Sequence, residues 1–113
     1  MGKMTLQECA ESCHRSHVMC LETANYCIGK GGVHAASAHL ALLLDCAEMC
    51  QTTENSLLRR SSQHSAICTA CAQICDACAQ SCEAIGSDET MKRCAKTCRD
   101  CAQSCRDMSK QAI

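Results

Sequence analysis

Fifteen cysteines stand in a chain of 113 residues, and their spacing says more than their number. Cys68, Cys71, Cys75, Cys78 and Cys82 follow steps of 3, 4, 3 and 4, and Cys94, Cys98, Cys101 and Cys105 follow 4, 3 and 4. Met91 and Met108 continue the second series at its two ends. Cys46 and Cys50 extend a like series from His39 and Leu43. Cys9, Cys13, Cys20 and Cys27 make a sparser one in which Ser16 and Thr23 fill the skipped positions. Alternating steps of three and four put side chains on one face of an α-helix. Each series is therefore a stripe of soft sulfur donors, suited to nucleophilic, redox or metal-binding chemistry.

An odd count of cysteines cannot pair completely within one chain. No apolar run approaches the ~20 residues of a membrane span. Met1-Gly2-Lys3-Met4 leads at once into polar Thr5, Gln7 and Glu8, with no signal-peptide core and no twin arginine. The expectation is a cytoplasmic chain in a reducing compartment, where disulfides are rare and thiols stay free. Basic and acidic residues balance at 11 against 12, and Tyr26 is the only aromatic, which argues against a nucleic-acid partner.

The elements that must carry these stripes follow from the breaks between them. Pro is absent, and every glycine except Gly2 lies at Gly29, Gly31, Gly32 or Gly86. Between those breaks, abundant Ala, Leu, Gln, Glu, Lys and Arg favour helix. Thr5-Leu6-Gln7-Glu8 reads as a capping box, Ser61 or Ser62 can cap a third helix, and Ser87 or Asp88 a fourth. A single domain over 1–113 is expected, with helices at about 5–28, 33–59, 62–85 and 88–110, the first stopping at Gly29. Short connections make neighbours antiparallel, so the fold class is all-α, an up-down-up-down four-helix bundle with a Cys-lined core. Counting outward from the turns puts Cys27, His39 and Met91 around one end and Leu57, His64 and Met108 around the other.

Leu, Ile and Val together also number 15, with no Phe or Trp to help, so thiols must take the seam positions that large aliphatics usually fill. Free Cys can pack as a small hydrophobe, and a few buried thiols would need no other explanation. Fifteen on inward faces forfeit apolar burial at every position and invite oxidation. Metal binding is the better account. Protonated thiols can still pack as apolar groups, so a helical bundle is expected even without metal.

Soft thiolates select Cu(I), Zn(II) or iron-sulfur clusters. A buried thiolate column must be nearly neutral, and Cu(I) achieves that at one ion per thiolate. If each sulfur bridges two coppers, 15 Cys can hold about 15 Cu(I). A tetrathiolate zinc site carries a formal charge of -2 and asks for paired knuckles, and ferredoxin cysteines sit in short loops. Zinc buffering of metallothionein type is the alternative function. A thiol oxidoreductase using Cys68 and Cys71 or Cys98 and Cys101 is disfavoured, because a redox dithiol needs an exposed thiolate near a helix N-terminus. The expected role is non-catalytic.

The runs Cys20-Leu21-Glu22-Thr23, Gly31-Gly32-Val33-His34, Leu44-Asp45-Cys46-Ala47-Glu48-Met49-Cys50-Gln51-Thr52, Cys75-Asp76-Ala77-Cys78-Ala79-Gln80-Ser81-Cys82 and Cys101-Ala102-Gln103-Ser104-Cys105-Arg106-Asp107-Met108 resemble the cytosolic branch of the bacterial copper storage proteins. The similarity covers almost the whole chain. It implies a homotetramer of four-helix bundles that store and detoxify many Cu(I) ions, with all 15 Cys as ligands and His and Met ligands near an open end. His39, His64, Met91 and Met108 are the candidates for those, and the Met91 end is the expected mouth. A copper chaperone or exporter is a possible partner. Sparse Cys in the first helix departs from the pattern and raises His17 as a substitute ligand; otherwise His14, His17 and His34 read as surface or cap residues.

Overall fold

The computed structural model describes residues 3–113; Met1 and Gly2, where the expected domain and the argument against a leader begin, lie outside the described residues. Four helices follow one another, α1 (Leu6–Lys30), α2 (Ser37–Leu58), α3 (His64–Ile85) and α4 (Glu89–Ser109), and no strand occurs among the described residues. Each helix packs on the next and α1 closes the ring against α4, with the pairs α1·α2 and α3·α4 the most intimate. That is the up-down-up-down bundle. Its long dimension is 44 Å, about what helices of this length plus their loops require at 1.5 Å per residue.

The helix ends show where local chemistry prevails and where it is overridden. At α1, Thr5 Oγ1 accepts from the Glu8 N–H at 3.1 Å while the Glu8 carboxylate accepts from the Thr5 N–H at 2.9 Å. Two orphan donors are satisfied reciprocally. Gly29 does not stop this helix, which runs on to Lys30; Gly31, at φ 74°, ends it and donates to the Cys27 carbonyl. The next residues, Gly32–Ala35, make one 3-10 turn, so α2 starts at Ser37 instead of near Val33 or His34. The α2–α3 turn needs a left-handed residue, and Arg60 supplies it at φ 51°. Arg60 N–H donates to the Leu57 carbonyl and Ser61 N–H to the Ser56 carbonyl, the paired bonds of a Schellman motif.

Neither Ser61 nor Ser62 caps α3, which begins after Gln63 without a side-chain cap. Asp88 stands at the α4 N-cap but does not bond the helix N–H groups. Its carboxylate instead accepts from the Tyr26 hydroxyl at 2.6 Å and from His34 Nε2 at 3.2 Å, clasping α1 and the 3-10 turn to the start of α4. Gly86 leaves room for this clasp, since a Cβ there would lie 2.6 Å from Asp88 Oδ1.

The core contains all 15 cysteines, each at 0% exposure. Beside them sit alanines, among them Ala47, Ala72, Ala79, Ala95 and Ala102, whose small side chains let the helices approach closely. Of the large aliphatics, Leu43 and Leu57 are fully buried, Leu6, Leu40, Ile74 and Ile85 are partly buried and flank the thiol core, and Val18, Leu21, Ile28, Val33, Leu44, Leu58 and Ile113 are exposed.

Candidate metal centre

The stripes meet on the bundle axis because all four helices turn their cysteine faces inward. Sulfur from α1 then touches sulfur from α4, with Cys13 3.8 Å from Cys105 and Cys20 3.6 Å from Cys98. Across α2 and α3, Cys50 lies 3.6 Å from Cys75 and 3.9 Å from Cys71, and Cys46 is 3.7 Å from Cys75. Three sets of four sulfurs each fit within 4.8 Å: Cys13, Cys71, Cys101 and Cys105; Cys20, Cys78, Cys94 and Cys98; and Cys50, Cys71, Cys75 and Cys101. The first and third share Cys71 and Cys101. Cys9, Cys68, Cys27 and Cys82 are buried toward the two ends.

The column is a mutually hydrogen-bonded set of thiols in which some are held up and their partners pulled down. The buried polar residues are Ser, Thr and His only, so no Lys or Arg among the described residues can neutralise a thiolate there. Hydrogen bonding with neighbouring thiols, Cys101 first, holds Cys75 and Cys105 well above the ordinary thiol range, and that with Cys20 first does the same for Cys78; burial pushes all three the same way, while the same thiol–thiol bonding pulls Cys46, Cys71 and Cys94 below it. Burial likewise raises the Cys27 thiol, with the charges of Cys94 and Asp88 adding to it. An ion entering such a site must displace protons and bring its own positive charge.

The end groups are built differently from each other. Burial holds His39 below its ordinary range and so keeps the imidazole neutral; its Nδ1 is paired with Ser81 Oγ at 2.7 Å and its Nε2 lies 3.6 Å from Cys27 Sγ. His64 donates from Nε2 to the Gln111 carbonyl at 2.6 Å, and its Nδ1 is buried without a partner. One ring nitrogen held and the other free is the arrangement of a metal-binding histidine. Met91 and Met108, at 0% and 1% exposure, are buried at the two ends of the α4 stripe.

His17 is not brought to the core. Its Nδ1 pairs with the Ala47 carbonyl at 3.1 Å, so it tethers α1 to α2 and cannot substitute for the missing thiols. His14 pairs with Glu54 on the surface, and His34 belongs to the Asp88 clasp. The places left by those thiols are filled by buried hydroxyls, Ser16 at 0% and Thr23 at 1% exposure. Ser81 and the Gln111 carbonyl, which hold the two end histidines, carry no sequence signal of their own. Only the fold brings them there.

Known proteins place this geometry. A family model described as copper storage protein matches residues 3–110. A solved protein of Nitrosospira multiformis is 44% identical, covers 92% of this chain with 94% of its own, and superposes with a TM-score of 0.86. The Cu(I)-bound copper storage protein BsCsp3 is 29% identical over 91% of this chain and 96% of its own, TM-score 0.85. A cytosolic copper storage protein from Streptomyces lividans, solved with five coppers, is 28% identical over 96% and 94%, TM-score 0.87. No curated protein matches the chain. With a cysteine-lined bundle and a family match along nearly its whole length, this chain belongs to the copper storage protein family.

Proposed function

We propose that the protein stores and detoxifies Cu(I), holding many ions as thiolate-bridged clusters along the bundle axis. One observation carries the reading: two of the four-sulfur sets overlap, sharing Cys71 and Cys101, in a core with no buried cation among the described residues. Shared sulfurs serve a low-coordinate ion whose ligands bridge. They do not serve tetrahedral zinc, which would fill Cys20, Cys78, Cys94 and Cys98 and then only one of the two overlapping sets. In this reading Cys9, Cys13, Cys20, Cys27, Cys46, Cys50, Cys68, Cys71, Cys75, Cys78, Cys82, Cys94, Cys98, Cys101 and Cys105 are the ligands. His39, His64, Met91 and Met108 complete the two ends.

The residues act as a single domain, and the role is storage and not catalysis, since every thiol is buried and none is offered to a substrate. The Streptomyces relative's description as cytosolic supports a cytoplasmic location, and no helix among the described residues is long and apolar enough to cross a membrane. Exposed Leu21, Ile28 and Leu44 are what further copies would cover in a homotetramer, and a copper chaperone or exporter would deliver or remove the ions. Parallel anaerobic loading with Cu(I) and with Zn(II) tests the choice of metal. Zinc is expected to stop at about two ions per chain, one per independent tetrathiolate set, and to be displaced by Cu(I). Zinc that resists Cu(I) would favour a general metal buffer.

A further inference from the structure

The sulfurs do not form one uniform column. Traced by approaches of 4.0 Å or less, Cys13, Cys50, Cys71, Cys75, Cys101 and Cys105 make one connected set. Cys20 touches Cys78 at 4.0 Å and Cys98 at 3.6 Å, and these three lie with Cys94 in the second four-sulfur group. Between the sets stands Cys46, 3.7 Å from Cys75 and 4.0 Å from Cys98. Among the sulfur–sulfur hydrogen bonds of the described residues, it alone reaches both sets.

At the same height α1 contributes a hydroxyl. Ser16 is fully buried, and its Oγ lies 3.9 Å from both Cys46 Sγ and Cys98 Sγ. A neutral hydroxyl is a hard donor with little affinity for Cu(I). Toward a thiolate it can only offer a proton in a hydrogen bond, so it cannot bridge two coppers as a sulfur in its place would. This layer of the bundle is thus one sulfur short on the α1 side, where both sets converge.

We propose that copper assembles here as two thiolate-bridged nests joined through the single sulfur of Cys46, and that Ser16 keeps the junction one sulfur wide. The inference rests on the storage reading and adds an internal organisation to it. Passage between nests is ligand exchange: a bond from Cu(I) to the Cys46 thiolate forms as its bond to Cys98 or Cys75 breaks. Copper stays in the +1 state, and the vacated thiolate takes up a second copper or a proton. Filling one nest then promotes filling of the other through the shared sulfur.

Native mass spectrometry at half saturation tests this on the wild-type chain and on Cys46→Ser, Ser16→Cys and Ser16→Ala. Cys46 lies outside the three four-sulfur sets, so Cys46→Ser removes the joining ligand and its share of the capacity while the other sulfurs of each nest remain, and the two nests should then fill independently. Species with one nest full should then rise over wild type by about fivefold or more, the scale of a severed coupling. Ser16→Cys adds a second bridging sulfur and should deplete the same species, while Ser16→Ala should keep the wild-type pattern. Ser16→Cys keeps the test decisive should Cys46→Ser fail to fold. Unchanged copper distributions in either Cys46→Ser or Ser16→Cys, or a shift in Ser16→Ala, would overturn the two-nest inference and leave storage intact. A wild-type chain that takes up no copper would overturn the storage reading itself.

Discussion

A buried cysteine and a buried leucine have different duties in this core, and substitution separates them. Leu43 is among the largest fully buried side chains and shares no sulfur set. Leu43→Ala should cost about 2–5 kcal/mol in urea unfolding of the metal-free protein, through lost burial and a residual cavity, with copper capacity kept. Cys78→Ala removes one sulfur and should cost only about 1 kcal/mol while lowering capacity. The thiol charge state gives a second expectation. Because Cys75, Cys78 and Cys105 are raised by hydrogen bonding with neighbouring thiols and by burial, they are protonated throughout the neutral range. Loading must then release a proton from each of these three as it is engaged, and apparent affinity must fall as pH falls. Calorimetry in buffers of different ionisation enthalpy reads that number directly; no proton release would mean the thiols were already ionised. The inward position of each cysteine was legible in its three-and-four spacing, since helical period alone decides it. The outward turn of His17 and the roles of Ser81 and Gln111 were not, because they depend on which neighbouring backbone or side chain lies within 3 Å or so.

At the scale of elements, what is local in sequence is legible and what is tertiary is not. The Thr5–Glu8 box closes within one turn and could be read directly. The diversion of Asp88 from capping duty depends on Tyr26, 62 residues away, so no reading of the α4 start alone could find it. Gly31 moved the end of α1 beyond Gly29 because the left-handed φ falls at the later glycine, while helical Gly29 costs only its lost propensity. Arg60 is the opposite case, a non-glycine in the position where a Schellman turn usually has Gly. Arg60→Gly should therefore raise stability by about 1 kcal/mol, the relief of left-handed strain less the entropy a glycine adds to the unfolded chain. An unchanged or lower denaturation midpoint would show that the arginine side chain contributes more to that turn than its backbone conformation costs.

For the whole molecule, a poor aliphatic core, no proline and four cysteine stripes converge on one arrangement, a bundle whose axis is sulfur. The antiparallel order was legible because the connections are too short for anything else. The exposure of Leu21, Ile28 and Leu44 was not, since a seam already filled by small thiols and alanines leaves no interior volume for them. A core so built has few large side chains to hold it, and the metal supplies in charge and bonding what the aliphatics would have supplied in burial. The most direct measurement of this account is an anaerobic Cu(I) titration of the reduced protein against a competing chelator. Saturation well above four ions per chain, toward about 15 if each thiolate is matched by one Cu(I), is the predicted result; saturation at four or fewer would contradict it.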